Sequence, residues 1–199
     1  EADESTRYLV LEMGASGPGH IAYLTGIAPL DAAGVLMVGH AHMGGFGSIE
    51  GVAAAKAEIV AGLRPDGTAI LNADDARAAA MAELAPARVL TFSSQGRAAD
   101  LRAENVVLDA AARAAFDLHL PGLDEPRRVQ LAVAGAHNVA NALAAAGLAL
   151  AAGLAPELIA ERLGSVSIES PHRMDVSELG GDLLLIDDSY NANIDSMTA

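Results

Sequence analysis

Short, continuous runs of apolar residues alternate with longer helical segments along this chain, and this alternation is its strongest constraint on the fold. The runs are Tyr8–Leu11, Gly34–Val38, Thr68–Leu71 and Val89–Phe92. Because apolar residues follow one another in each run rather than alternating with polar ones, each run is typical of a strand buried on both faces of a parallel sheet. Strands that alternate with helices build such a sheet, so we predict an α/β fold with a mostly parallel sheet flanked by helices.

Helix signals occur between and after these runs. Ser48 is a candidate N-cap for the helix that follows it, and Asp74-Asp75 opens another helix. An alanine-rich helix is predicted over about 138–152, and a further helix over 156–163 has proline in its first turn. These segments supply the helical layers that a buried sheet requires.

Residues from about 101 to 133 follow a different pattern, in which short strand-like runs are separated by turn residues. We predict that they form a small antiparallel insertion. A hairpin is predicted around Gly180-Gly181, and its second strand runs into Asp187-Asp188. With 199 residues, of which 52% are hydrophobic, residues 1–199 are predicted to form a single domain.

Composition excludes several classes of function. Twelve basic residues against 26 acidic ones give a net charge of -14, which argues against nucleic acid as a partner. A nucleotide carried with Mg²⁺ is compatible with this charge, because the metal neutralises phosphate locally. The chain has no cysteine, and its acidic start lacks the pattern of a secretory signal, which together fit a cytoplasmic protein. The apolar stretch 131–160 is rich in alanine and interrupted by polar residues, so no membrane span is expected.

Polar residues directly follow several of the apolar runs. Ligands of open α/β sheets bind beyond the carboxyl ends of the strands, so these positions are the first candidates for a site. Glu12 follows the first run, His42 the second and Asn72 the third. A carboxylate in this place suits a Mg²⁺ ligand, although it can equally cap a nearby helix. His42 alone is a poor choice for Mg²⁺, which prefers oxygen ligands.

Lys56 is the only lysine, and its position is informative. It lies in the same helical stripe as Ile49, Val52, Ile59 and Leu63, so it is predicted to point toward the core. Burial disfavours the ammonium form, and a neutral amine can act as a nucleophile or take up carbon dioxide to become an anionic carbamate. The alternative is a side chain whose head group reaches water past the helix edge.

Two further groups of polar residues are candidates for ligand contacts. His137, Asn138 and Asn141 stand at the mouth of the alanine-rich helix, where they can receive a polar ring or simply cap the helix. Arg173 lies in a polar connector and can grip phosphate or remain an ordinary surface residue. The residues of the DDSYNAN segment can hold a ribose hydroxyl or form only a turn.

Seven motifs occur in a fixed order: EMGA, AHMGGFGS, AAAKAEI, GTAILNADD, GAHNVANALAA, the Arg173 connector and DDSYNAN. Together they resemble the central, ATP-using domain of the Mur ligases, and the last motif resembles the members that add D-alanyl-D-alanine. The resemblance covers nearly the whole chain and implies a P-loop-NTPase-like fold. It also implies a role in peptidoglycan precursor synthesis, in which ATP drives the joining of D-alanyl-D-alanine to a UDP-N-acetylmuramoyl-tripeptide through an acyl phosphate.

The resemblance further implies a role for each candidate residue. Glu12 and His42 resemble the Mg²⁺ ligands, and Lys56 resembles the catalytic lysine that becomes carbamylated in this family. The residues that resemble ATP contacts are Asn138 and Asn141 for adenine, Arg173 for phosphate and Asp188 for ribose, with His137, Tyr190 and Asn191 as weaker candidates.

One feature of the family is expected but not found. Its phosphate-binding loop, of the G-x-x-G-K-T type, should precede Glu12 by several dozen residues, yet only eleven residues stand there. We therefore expect no ligase turnover from this chain alone, and self-association through sheet surface that the loop region would cover. The alternatives are a related ligase, such as one that adds glutamate to folate, and a non-catalytic nucleotide-binding or scaffold module.

Overall fold

The computed structural model describes residues 3–39, 46–166, 175–181, 183–187 and 189–190. The helices and strands of this part follow in chain order as α1 (His20–Ile27), β1 (Leu30–Val35), α2 (Ile49–Ala61), β2 (Leu63–Asn72), α3 (Ala76–Ala80) with a 3₁₀ turn (Met81–Leu84), β3 (Arg88–Ser93), β4 (Leu101–Leu108), β5 (Arg113–His119), β6 (Arg127–Ala134), α4 (Asn138–Ala151), α5 (Pro156–Leu163), β7 (Asp175–Gly180) and β8 (Leu183–Asp187).

The first six strands form one sheet in the order in which they occur along the chain. Strands β1 to β4 are parallel, whereas β5 is antiparallel to both β4 and β6. The predicted α/β fold with a mostly parallel sheet is confirmed. The antiparallel strands predicted for residues 101 to 133 are also present, and they continue the main sheet because β4 pairs with β3.

Helices cover the two faces of the sheet unequally. On one face, α4 and α5 pack on a cluster that includes Phe92, Phe116 and Leu143. On the other face, α2 and α3 pack on a second cluster that includes Val35 and Leu71, and this cluster is confined to β1, β2 and β3. The parallel strands are therefore buried on both faces, while one face of β4 to β6 carries polar side chains.

Local sequence signals explain where the helices begin. The Ser48 hydroxyl accepts a hydrogen bond from the Gly51 amide at 3.1 Å and caps α2. Asp75 caps α3, and Pro156 is in the first turn of α5. The helices predicted from Ser48, from Asp74-Asp75 and for the two later segments are thereby confirmed.

The first predicted strand is wrong for this chain. Tyr8–Leu11 forms no ladder, and the side chains of Tyr8 and Val10 are 62% and 89% exposed. A run of apolar residues becomes a strand only where a neighbouring strand accepts its hydrogen bonds, and within the described residues β1 pairs on one side only, with β2. The second predicted strand is shifted, because β1 begins at Leu30 and ends at Val35 rather than Val38.

The antiparallel half of the sheet extends past the end of the parallel half. Ser93, the last residue of β3, pairs with Arg102, the second residue of β4. Six further residues of β4 therefore extend beyond β3, a distance of about 20 Å. Because β5 is antiparallel to both β4 and β6, β6 runs parallel to β4. Ala134, at the carboxyl end of β6, and the start of α4 therefore lie toward the same end of the strands as the carboxyl ends of β1 to β3.

The predicted hairpin around Gly180-Gly181 is confirmed as an antiparallel pair of β7 and β8. Both glycines have positive φ angles, 87° and 60°, in the left-handed region that the turn requires. Within the described part of the chain, none of the helices is long and apolar enough to cross a lipid bilayer.

Candidate functional site

The carboxyl ends of β1, β2 and β3 form a rim whose polar groups bind one another. Asn72 is 8% exposed, and its side-chain amide donates a hydrogen bond to the carbonyl of Leu36 at 2.7 Å. The Asn72 side-chain oxygen accepts from the Asp74 amide at 2.8 Å. Asn72, expected from the sequence to face a ligand, thus joins the chain after β1 to the chain after β2.

Asp74 is a structural acid of this rim. Its side chain is 5% exposed and accepts hydrogen bonds from the Ser93 hydroxyl at 2.7 Å and from the Ser94 amide at 2.8 Å. The Arg97 guanidinium lies 3.7 Å from the carboxylate. A buried carboxylate must be compensated in this way, and Asp74 therefore fixes the turn after β3 relative to β2.

Asp75 has a second anchoring role that sequence reasoning did not identify. One carboxylate oxygen caps α3 through the amides of Arg77 at 2.9 Å and Ala78 at 3.0 Å. The other oxygen accepts from the amide of Val38 at 2.7 Å. The segment after β1 is thus attached to the cap of α3. The aspartates of GTAILNADD gave a helix-start signal, but nothing in the sequence indicated the contact with a residue 37 positions earlier.

Glu12 lies in an extended segment that precedes α1 and belongs to no strand. The residue is exposed, and among the described residues its carboxylate has neither a hydrogen-bond partner nor an ion-pair partner. The prediction that it follows a buried strand is therefore wrong here, because no strand of the described residues lies beside Tyr8–Leu11. Its carboxylate oxygens are nevertheless available to a cation.

Lys56 lies in the middle of α2, one helical turn from Val52 and from Val60. These two valines are 4% and 0% exposed, whereas Lys56 is half-buried. The prediction that Lys56 belongs to the inward stripe agrees with this placement. Within the described part of the chain the ammonium group has no hydrogen-bond or ion-pair partner, so its head group is not held by a neighbouring carboxylate.

The mouth of α4 presents a chain of side-chain amides. The Asn138 side chain donates to the carbonyl of Ala134 at 2.7 Å, and its oxygen accepts from the Asn141 side chain at 2.9 Å. Asn141 is exposed, and its amide oxygen remains available. His137 is also exposed and packs closely on Gly135, whose φ of 105° places it in the left-handed region. The expected grouping of His137, Asn138 and Asn141 is present.

The remaining predicted residues fall mostly outside the described residues. These are His42, Arg173, Asp188 and Asn191. Tyr190 is described and is 60% exposed after the β7–β8 hairpin. Among the described residues, no three histidine, aspartate or glutamate side chains converge as a preformed metal site. The shared cation site of Glu12, His42 and Lys56 therefore stays a prediction.

An open depression of about 460 Å³ lies at the step where β4 continues beyond β3. It is lined by residues 94–96 and 103–106, and the predicted site residues of the described part lie elsewhere. The amides of Ser94 and Gln95 already donate to Asp74. These two donors are therefore not free for an anion.

The face of β4 to β6 that none of the described helices covers is held by ion pairs within and between strands. The hydrogen bond from Arg102, at 2.9 Å, and one from His119 lower the pKa of Glu104 below its ordinary range. Hydrogen bonds from Asn105 and Arg128 lower the pKa of Asp117 in the same way. Asn105 has a φ of 50° at an irregularity in β4, and its side-chain bond of 2.7 Å to Asp117 holds this turn of the backbone.

Comparison with known proteins agrees with this architecture. Residues 1–149 match the family described as Mur ligase middle domain. The chain is 46% identical over 198 residues to a UDP-N-acetylmuramoyl-tripeptide--D-alanyl-D-alanine ligase of Mycobacterium tuberculosis, and the match covers 100% of this chain and 38% of that protein.

Solved structures agree as well. A crystal structure of MurF from Acinetobacter baumannii matches 94% of this chain and 40% of its own, with a TM-score of 0.85 and 36% identity. The MurF ligase from Thermotoga maritima in complex with ADP matches 94% of this chain and 42% of its own, with a TM-score of 0.76 and 27% identity. This chain thus spans about two-fifths of the length of the proteins it matches. Because the middle-domain match takes in 149 of the 199 residues, the chain belongs to the Mur ligase family.

Proposed function

We propose that this chain is the nucleotide-handling part of a longer cytoplasmic ligase that uses ATP to join D-alanyl-D-alanine to a UDP-N-acetylmuramoyl-tripeptide. The observation that carries the proposal is the 46% identity, over 198 residues, to a ligase of that name. Residues 1–199, including the antiparallel strands from about 101 to 133, would form one domain. The uridine nucleotide and the amine would then be bound by the rest of the longer polypeptide.

The chemistry of such a ligation explains what this domain must provide. The tripeptide carboxylate attacks the γ-phosphate of ATP and gives an acyl phosphate and ADP, and the amine of D-alanyl-D-alanine then displaces inorganic phosphate. Both steps bring negatively charged or polar groups together, so positioning and charge neutralisation dominate. Mg²⁺ supplies that neutralisation when bound, which matters in a chain with a net charge of -14.

The chemistry of the available donors supports the proposed Mg²⁺ site. Glu12 offers two carboxylate oxygens that have no partner among the described residues. Lys56 fits only as a carbamate, because an ammonium group repels a cation, and within the described residues no carboxylate pairs with its side chain on α2. His42 completes the proposed set.

The amides at the mouth of α4 support the adenine contact. The side-chain nitrogen and oxygen of Asn138 are both hydrogen-bonded, so the amide of Asn138 cannot turn freely and it orients Asn141. Asn141 keeps a free oxygen and a second N–H, which together match the donor and acceptor that adenine presents on one edge. Arg173 would contact phosphate and Asp188 the ribose, and His137, Tyr190 and Asn191 would complete the surroundings.

The test uses the complete polypeptide that contains this chain. Phosphate release is measured with Mg²⁺, ATP, a UDP-N-acetylmuramoyl-tripeptide and D-alanyl-D-alanine. We expect steady turnover, a loss of about a hundredfold or more in rate for Glu12→Gln, and a comparable loss for Lys56→Arg, which cannot be carbamylated in the same way.

Asp66→Asn is the matched control for Glu12→Gln. Asp66 is an exposed aspartate near the amino end of β2, away from the carboxyl ends of the strands, and it has no side-chain partner among the described residues. Its substitution should leave the rate unchanged. Turnover with glutamate but not with D-alanyl-D-alanine as the amine would overturn the proposed substrate. An adenosine affinity indifferent to Mg²⁺ and to Glu12→Gln, together with absent turnover, would indicate a binding module instead.

A further inference from the structure

Glu58 of α2 holds the beginning of α1 through two hydrogen bonds that join distant parts of the chain. One carboxylate oxygen accepts from the Gly19 amide at 2.6 Å, and the other accepts from the Ala22 amide at 3.0 Å. The two contacts span 39 and 36 residues of sequence. Glu58 is half-buried, and both of its carboxylate oxygens face the beginning of α1.

Helix α1 depends on this contact because it cannot cap itself. Its N-cap residue is Gly19, with a φ of 82°, which has no side chain to accept the amides of the first turn. A carboxylate from another helix satisfies these amides and also interacts favourably with the positive end of the helix dipole. Gly62 and Thr25 pack against each other further along the same two helices, where a Cβ at position 62 would overlap the Thr25 side chain.

The contact of Glu58 extends toward Glu12. The ring of His20, the first residue of α1, accepts a hydrogen bond through Nδ1 from the amide of Ser16 at 3.3 Å. The turn from Ser16 to Gly19 is therefore closed on α1, and Glu12 lies four residues before it. Glu58 thus determines where the segment that carries Glu12 leaves α1.

The same helix also carries Lys56. Residues two positions apart on a helix point in nearly opposite directions, so Lys56 lies in the inward stripe with Val52 and Val60 while Glu58 reaches α1. A shift of α1 against α2 would consequently move the Glu12 segment relative to Lys56. The proposed cation site depends on the position of α1 relative to α2, and Glu58 joins these two helices.

We infer that Glu58 is a positioning residue for the ligase reaction, which fixes the Glu12 segment relative to Lys56 by clamping the start of α1. The inference rests on the proposed function. Glu58 contacts neither substrate nor metal in this assignment. It acts through the Gly19 and Ala22 amides and through the turn that they begin.

The test compares the complete polypeptide with its Glu58→Gln variant, which retains one acceptor oxygen but loses the charge. Hydrogen exchange should be about tenfold or more faster at the amides of Gly19 and Ala22. In the phosphate-release assay, kcat should fall about tenfold to a hundredfold, and the Mg²⁺ concentration for half-maximal rate should rise several-fold. Glu58→Asp, which keeps the charge on a shorter side chain, should give intermediate values for all three quantities.

Glu50→Gln on the same helix is the matched control. Glu50 pairs with the side chain of Arg77 at 3.1 Å, and its carboxylate accepts no hydrogen bond from the described residues of α1. Exchange at Gly19 and Ala22 and the Mg²⁺ dependence should therefore stay as in the parent. In the double variant with Glu12→Gln, Glu58→Gln should add little further loss, because both changes act on the same group.

The outcomes separate the inference from the proposed function. Unchanged exchange at Gly19 and Ala22 in Glu58→Gln would overturn the clamp whatever the activity is. Faster exchange with unchanged kcat and Mg²⁺ dependence would overturn the positioning role while the proposed function stands. The same holds if the fall in kcat of the double variant equals the product of the falls in Glu58→Gln and Glu12→Gln. A parent without turnover would overturn the proposed function, and with it the inference.

Discussion

Gly147, in the middle of α4, is predicted to resist substitution by alanine because α4 packs directly on β2. A Cβ at position 147 would come within 2.8 Å of Cγ2 and 3.2 Å of Cγ1 of Ile70. Ile70 is 0% exposed, and its β-branched side chain has little rotamer freedom to move away. The substitution therefore tests how closely the helix that presents Asn138 is seated on β2.

Two opposing effects set the magnitude. Replacing a glycine inside a helix by alanine stabilises the protein by about 1 kcal/mol, because the unfolded chain loses conformational freedom. Overpacking of a close contact costs about 1 to 3 kcal/mol. Gly147→Ala should consequently lower the free energy of unfolding by about 0 to 2 kcal/mol, whereas the helix effect alone would raise it.

A double-mutant cycle with Ile70→Ala isolates the contact. Ile70→Ala alone should cost about 2 to 5 kcal/mol, because it leaves a cavity in a filled core. In that background the atoms that obstruct a Cβ are gone, so Gly147→Ala should stabilise by about 1 kcal/mol. The coupling free energy between the two substitutions is then about 1 to 3 kcal/mol. Gly147→Ala destabilises the parent but stabilises the Ile70→Ala variant.

Urea unfolding followed by far-ultraviolet circular dichroism measures these free energies, since the chain has no tryptophan to serve as a fluorescence probe. Gly26→Ala in α1 is the control, because a Cβ there meets nothing within 4 Å and the substitution should only stabilise. If Gly147→Ala stabilised the parent as much as it stabilises the Ile70→Ala variant, the reasoning from close helix–sheet contact would be refuted.

Two further predictions concern association and acid stability. The exposed run Tyr8–Leu11 should make the bare chain self-associate, and light scattering at high concentration should show particles larger than one chain, whereas a monodisperse monomer would contradict this. Because the pKa of Asp117 is lowered from its ordinary value of 3.8, its contribution to stability is present above that pH and is lost as the pH falls through the lowered value. Asp117→Asn should thus be less stable than the parent near neutral pH, and the urea midpoints of the two proteins should converge in strong acid. Asp66→Asn is the control. A difference between the midpoints of Asp117→Asn and the parent that persists in strong acid would refute the assignment.

Local signals in the sequence were sufficient for most of the fold. Ser48 and Asp75 cap helices as expected because a side-chain oxygen can satisfy amides only two or three residues away. The buried run within β2 has no alternation, which is possible only for a strand covered on both faces. Features that depend on neighbours in sequence, or on burial of a whole segment, were therefore predictable.

The failures share a different physical origin. Tyr8–Leu11 has the composition of a buried strand, but a strand is a property of a pair, and within the described residues no partner lies beside it. The offset between β3 and β4 is likewise a matter of register, which a single sequence does not specify. The clamp from Glu58 joins residues more than 35 positions apart, and an exposed-looking glutamate on a helix gives no signal of it.

Hydrogen-bond partners separate three acids that look alike in the sequence into two classes. Glu12, Asp74 and Asp75 all stand near the ends of apolar runs, and each was a reasonable ligand or cap. Asp74 and Asp75 accept from backbone amides and a hydroxyl on neighbouring segments, so moving either carboxylate toward a cation would leave buried or capping donors without a partner. Glu12 has no such partner among the described residues, and recruiting it to a cation breaks nothing. Of these three acids, Glu12 is therefore the one that the proposed Mg²⁺ site can recruit at the lowest structural cost, while Asp74 and Asp75 hold together the segments that follow β1, β2 and β3.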